Sequence, residues 1–117
     1  MKPRNATWFT ADVGRLMIDH RIARVAADPA RVPEAAEPGG WDGLVYFRLH
    51  GAPRKYWSRY DSDDISALAV RVRHHATSVE TWCIFDNTAS GAALENAWEV
   101  SASVAGAAAA APARQPR

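Results

Sequence analysis

The sequence predicts an α/β fold in which parallel strands alternate with helices, and three observations carry that prediction. The run "LVYFRLHG", residues 44–51, alternates as a strand does, with Val45, Phe47 and Leu49 on one face and Tyr46, Arg48 and His50 on the other. The run "DDISALAVRVRHHAT", residues 63–77, sets Ile65, Leu68, Ala69 and Val72 at helical spacing behind acids in its first turn. Along the chain the order reads strand, helix, strand, long loop, strand, helix, strand, helix, an alternation that favours parallel pairing through right-handed crossovers.

Taken in order, "PRNATWF" is read as a short first strand, extended by Pro3 and ending in aromatics. Thr10 then caps a helix, "ADVGRLMIDH", with Val13, Leu16 and Met17 as its apolar stripe. "RIARVAAD" is the second strand, closed by the turn at Asp28 and Pro29. Residues 29–43 carry three prolines and three glycines without periodicity and read as a long loop. After the third strand, "APRKYWSRYD" is an irregular segment rich in aromatics and bases, and Asp61 or Ser62 caps the helix that follows. "ETWCIFDNT" is the fourth strand, and "SGAALENAWEV" starts a last helix with Leu94, Ala97 and Trp98 in register. The folded domain is expected over 1–104, and the Ala- and Pro-rich 105–117 as a frayed extension of the last helix or a disordered tail.

Composition bounds the function. Hydrophobic residues make up 48% of the 117 and charged residues 23%, which describes folded protein. A net charge of +1 provides no global attraction to nucleic acid or to an anionic membrane, so any anion must be held by a local cluster. With one cysteine, Cys83, the chain forms no internal disulfide and no cysteine-based zinc site. The first twenty residues have no signal-type apolar stretch and no run of 18 apolar residues occurs, so a cytoplasmic location is expected.

In parallel α/β sheets, ligands sit beyond the carboxyl ends of the strands. Arg48 and His50 reach that level on one face of their strand, Asn87 ends the next strand, Arg4 ends the first and Asp28 the second. A guanidinium binds carboxylate or phosphate through a planar fork, and an imidazole accepts, donates or shuttles a proton. These residues predict an anion site, with Tyr56 and Tyr60 closing it from the segment "KYWSRY". In an enzyme, His50 is the candidate acid or base and Arg48 the charge stabiliser. The competing reading makes Arg48 an internal ion-pair partner of Asp28 or Asp86 and His50 a turn cap.

Other signals have structural readings. His74 and His75 are adjacent on a helix, about 100 degrees apart, and do not share one metal-binding face. Cys83 lies in an apolar strand without basic neighbours and reads as a small core hydrophobe. No metal ligand set is predicted, and with no P-loop, GxGxxG, HExxH or GxSxG the sequence leaves any cofactor unknown.

Several of these segments together resemble a known family. "VYFRLHG", "KYWSRY", "TWCIFDNT" and "SGAALENA" are similar to the C-terminal half of the YecE-like family, domain of unknown function 72. "KPRNATWF" resembles that family's E-P-R-H-x-S-W-F strand, with Lys2 for its glutamate and Asn5 for its histidine. "VAADP" resembles its aspartate-ending strand, and "FDNT" its F-N-N-T, with Asp86 for the first asparagine. The resemblance covers residues 2 to about 99. It implies a partial, half TIM-like barrel of about four parallel strands, with another half expected before the first strand. Three readings follow: a binder of an anionic or phosphate-containing small molecule at the strand ends; a truncated non-catalytic fragment that associates with itself, as a homodimer, or with a separately encoded N-terminal half; and a nucleic-acid binder through the aromatic and basic loop. Whether the chain is an enzyme stays open.

Overall fold

The structure, a computed structural model, describes residues 1–110. Its helices are α1 (Ala11–Asp19), α2 (Ser62–Ala76) and α3 (Ala92–Ala110), and its strands β1 (Ala23–Arg24), β2 (Ala26–Asp28), β3 (Gly39–Gly40), β4 (Leu44–Leu49) and β5 (Glu80–Phe85). Strands β2, β4 and β5 form a parallel sheet in that order, with Phe47 opposite both Ala26 and Cys83. Strands β1 and β3 form a small antiparallel pair beside it.

Two of the predictions that rest on periodicity hold. In β4, Val45, Phe47 and Leu49 are buried, while Tyr46 and Arg48 lie on the more open face. In α2, Ile65, Leu68, Ala69 and Val72 are buried. Asp61 caps α2 by accepting from Asp64 N–H, and the Asp64 carboxylate returns the bond to Asp61 N–H. That reciprocal box satisfies two donors left over at the helix start. Helices α2 and α3 pack against each other and on one face of the sheet, and the core between them joins Phe47, Leu49, Tyr60, Ile65, Leu68, Val72 and Val100.

Four expectations are corrected. "PRNATWF" is not a strand: residues Ala6–Phe9 form a 3-10 turn because the Asn5 side chain accepts from Thr7 N–H and Thr7 Oγ1, a local bond that competes with strand pairing. Only Met1 lies ladder-like beside the next segment, bonding Ala23 C=O and Val25 N–H. The second strand is divided at Val25, one part pairing with β3 from within the expected loop and the other with β4. Leu16 on α1 and Leu94 and Trp98 on α3 are exposed, Trp98 by 66%; α3 instead turns Ala92, Asn96 and Val100 inward, four residues apart. Helix α3 continues to Ala110, so the first part of the expected tail, 105–110, is helical. Residues 111–117 of that tail lie outside the described residues.

Candidate functional site

Backbone pairing runs on past the ends of the strands. His50 N–H donates to Asp28 C=O at 2.7 Å, and Asp86 N–H donates to Leu49 C=O at 2.9 Å. These bonds bring His50 and Asp86 to one level at the carboxyl edge of the sheet. Arg48 Nε and Nη2 each lie 3.0 Å from Asp86 Oδ2. The other oxygen, Asp86 Oδ1, lies 2.7 Å from His50 Nδ1, in close contact but outside hydrogen-bond alignment. An imidazole nitrogen that close to a carboxylate carries the proton, because two lone pairs at that distance repel. The neutral His50 therefore leaves Nε2 as an acceptor, and that atom is buried without a partner among the described residues.

Burial lowers the pKa of His50. Asp86 pulls it up, and Lys2 and Lys55 push it down, with the net shift downward. Tyr56 sits edge-on to the imidazole, with ring centroids 5.7 Å apart. Its backbone is in the left-handed region, φ 69°, and is held there by Tyr56 N–H donating to His50 C=O and Ala89 N–H donating to Tyr56 C=O. A bulky residue in that conformation is strained, by about 1–3 kcal/mol.

These groups form part of the wall of a cleft of about 490 Å³. Five cations line it: Lys2 and Arg4 from the N-terminal segment, Arg31 from the loop after β2, Arg48 from β4 and Lys55 from the loop after it. Asp86 is the one carboxylate in that lining. Desolvation, then repulsion from Lys55, Arg4 and Arg48, lowers the pKa of Lys2, as expected where like charges converge.

Of the residues predicted from sequence, Arg4, Arg48, His50 and Tyr56 meet in this cleft. Asp28, Tyr60 and Asn87 do not line it. The register explains Asn87: Cys83 and Phe85 pair with Phe47 and Leu49, which face the helices, so Asn87 continues that buried face and Asp86 takes the open one. Asn87 Nδ2 donates to Ser58 C=O and to Asn96 Oδ1, both at 2.9 Å. Tyr60 belongs to the core; its hydroxyl donates to Asp28 Oδ2 at 2.6 Å and accepts from Gly51 N–H at 2.9 Å, and burial raises its pKa well above the usual phenol range. The internal pairing of Arg48 with Asp86, the competing reading, is present and lies inside the cleft.

Lys2, Arg31, Lys55 and Asp86 line the cleft without having been expected from sequence, and Asn96 supports it from behind. Asn96, fully buried, accepts from Tyr60 N–H and donates to Tyr60 C=O, clamping the segment that carries Lys55 and Tyr56. Its signal was a polar residue at the inward position between Ala92 and Val100. Elsewhere, His75 packs against Phe47, centroids 6.0 Å apart, Arg54 covers the Trp57 ring at 4.5 Å, and burial pushes the Cys83 thiol up to about 11. Among the described residues no cluster of three or more His, Cys, Asp or Glu is placed to hold a metal ion, and no helix is long and apolar enough to cross a membrane.

A family model described as "Protein of unknown function DUF72" matches residues 1–117. The chain belongs to the DUF72 family. Among solved structures, this DUF72 chain is similar to a DUF72 family protein of Enterococcus faecalis V583, with 22% identity and a TM-score of 0.71 over 89% of this chain and 46% of that one. A second structure of a DUF72 protein from that organism gives 25% identity and a TM-score of 0.65, covering 85% and 45%. A DUF72 family protein of Thermotoga maritima MSB8 gives 23% and 0.68, covering 84% and 42%. The chain thus spans less than half the length of these relatives. No curated protein matches it.

Proposed function

We propose that this DUF72 chain binds an anionic or phosphate-containing small molecule in the cleft at the carboxyl ends of its parallel strands. The observation that supports this reading is the concentration of charge: five cationic side chains and one carboxylate line the cleft, in a chain whose net charge is +1. Such convergence is costly without an anion to relieve it, and it focuses the field at one place. Arg48, oriented by Asp86, is the principal anchor. Within the cleft, His50 is the group that accepts a proton and Arg48 the one that neutralises developing negative charge, which are the roles they take if the bound molecule is turned over. Titration calorimetry with orthophosphate and sulfate tests the reading: Arg48→Met is expected to weaken binding about tenfold, corresponding to 1.4 kcal/mol, and absence of saturable binding by either anion in the parent chain refutes it.

A second reading is favoured by the uncovered face of the sheet. Trp82 is 49% exposed there, Leu94 and Trp98 are exposed on α3, Leu16 and Ile18 on α1, and the outer edge of β5 is unpaired among the described residues. Open edges and lateral apolar stripes suit the remainder of a barrel. In this reading the chain is half of a TIM-type barrel and associates with itself or with a separately encoded N-terminal half. Light scattering after size exclusion is expected to give twice the chain mass; a monomer that unfolds cooperatively at micromolar concentration refutes self-association.

A further inference from the structure

We propose that the cleft selects an anion that carries a hydroxyl donor, hydrogen phosphate or a hydroxylated phosphate ester, over anions that have no proton to give. The inference rests on the anion-binding reading and deepens it. A cleft built only to hold negative charge would present donors alone, and Lys2, Arg4, Arg31 and Lys55 do present donors. Set among them is an acceptor. His50 is 4% exposed, its Nδ1 faces Asp86, and its Nε2 is buried with no hydrogen-bond partner among the described residues. Asp86 Oδ1 is likewise buried and without an aligned partner.

A buried acceptor left unpaired destabilises any complex that fails to satisfy it, and a lone pair facing the oxygen of a fully deprotonated anion repels it. Sulfate and the dianion of a simple phosphate monoester bring only acceptors. Hydrogen phosphate retains one O–H at neutral pH, and a sugar or polyol phosphate brings hydroxyls beside its phosphate. Either provides the donor that Nε2 lacks, while the cations take the charge. The same argument disfavours the internal phosphodiesters of DNA, which have neither a phosphate proton nor a sugar hydroxyl beside them.

The test is titration calorimetry of the full chain at neutral pH with four probes: orthophosphate, sulfate, methyl phosphate and glycerol 1-phosphate. Orthophosphate or glycerol 1-phosphate is expected to bind at least about tenfold more tightly than sulfate and methyl phosphate, a site that pairs a hydroxyl rejecting the analogue without one. If glycerol 1-phosphate is preferred the natural donor is a carbon-borne hydroxyl, and if orthophosphate alone is preferred it is the phosphate proton. In His50→Phe, checked by thermal unfolding, the preference is expected to fall to within about threefold, with sulfate binding more tightly once the Nε2 lone pair no longer repels it. Equal binding of all four probes by the parent chain overturns this inference while leaving the anion site standing. Binding of none overturns both, and these parent-chain results decide the matter even if the variant does not fold.

Discussion

Replacing Asn96 by alanine is expected to loosen the loop that completes the cleft. Asn96 is fully buried, and its amide makes four hydrogen bonds: from Tyr60 N–H at 3.1 Å, to Tyr60 C=O at 3.0 Å, from Asn87 Nδ2 at 2.9 Å and to Glu99 Oε1 at 3.1 Å. In the variant Asn87 keeps Ser58 C=O and the partly exposed Glu99 turns to water, but both main-chain groups of Tyr60 lose their partner. At about 1–3 kcal/mol for each buried group left unpaired, the loss is about 2–6 kcal/mol, a large part of the about 5–15 kcal/mol that holds a domain together. Urea unfolding followed by tryptophan fluorescence measures it as a lower midpoint at unchanged slope. Anion affinity should fall as well, because Lys55 and Tyr56 lie on the segment that Asn96 clamps. A loss under about 1 kcal/mol would refute the reasoning, showing that water replaces the amide and the clamp does not hold the loop.

Other perturbations have equally direct outcomes. Gly51→Ala is expected to cost about 1–3 kcal/mol or more in urea unfolding, since Gly51 has φ 99° and an added Cβ would meet Arg54 O at 3.1 Å and both Asn87 Cβ and Ser58 O at 3.2 Å; an unchanged midpoint would contradict this. His50 should make stability depend on pH: the unfolded imidazole takes a proton below its ordinary 6.5 while the folded one, depressed by burial and by Lys2 and Lys55 against the pull of Asp86, with Tyr56 packed on it, does not. Stability is thus fully present above about 6.5 and falls as pH drops from there through the folded value, and denaturation curves of His50→Gln should lack that part of the slope. Cys83, raised from 9.0 to about 11 by burial, should carry about a hundredfold less thiolate than a free thiol, so that iodoacetamide labels it far more slowly in the folded chain than in urea; equal rates would place it outside the packed layer.

The parts of this protein that were legible in its sequence are those where one residue type and one periodicity decide the outcome locally. Val45, Phe47 and Leu49 against Arg48 and His50, the Asp61 and Asp64 box, and the Ile65 to Val72 stripe each follow from a short-range rule: side chains alternate on a strand, and orphan donors at a helix start need an acceptor. The family, too, could be read from ordered segments of the chain. Strand β5 shows where such rules stop. "TWCIF" is apolar on both faces, so its pattern does not say which set turns to the helices. Only the pairing of Cys83 with Phe47 and Phe85 with Leu49 assigns the faces, and that pairing sends Asn87 into the core and Asp86 into the cleft. The clamp of Asn96 on Tyr60, 36 residues away, and the gathering of Lys2, Arg31 and Lys55 around Arg48 are of the same kind. They depend on register and on the packing of distant segments, which are properties of the whole assembled chain. Local propensity therefore specified β4 and β5, which carry Arg48, His50 and Asp86 to the site, while tertiary pairing decided which polar residues that site contains.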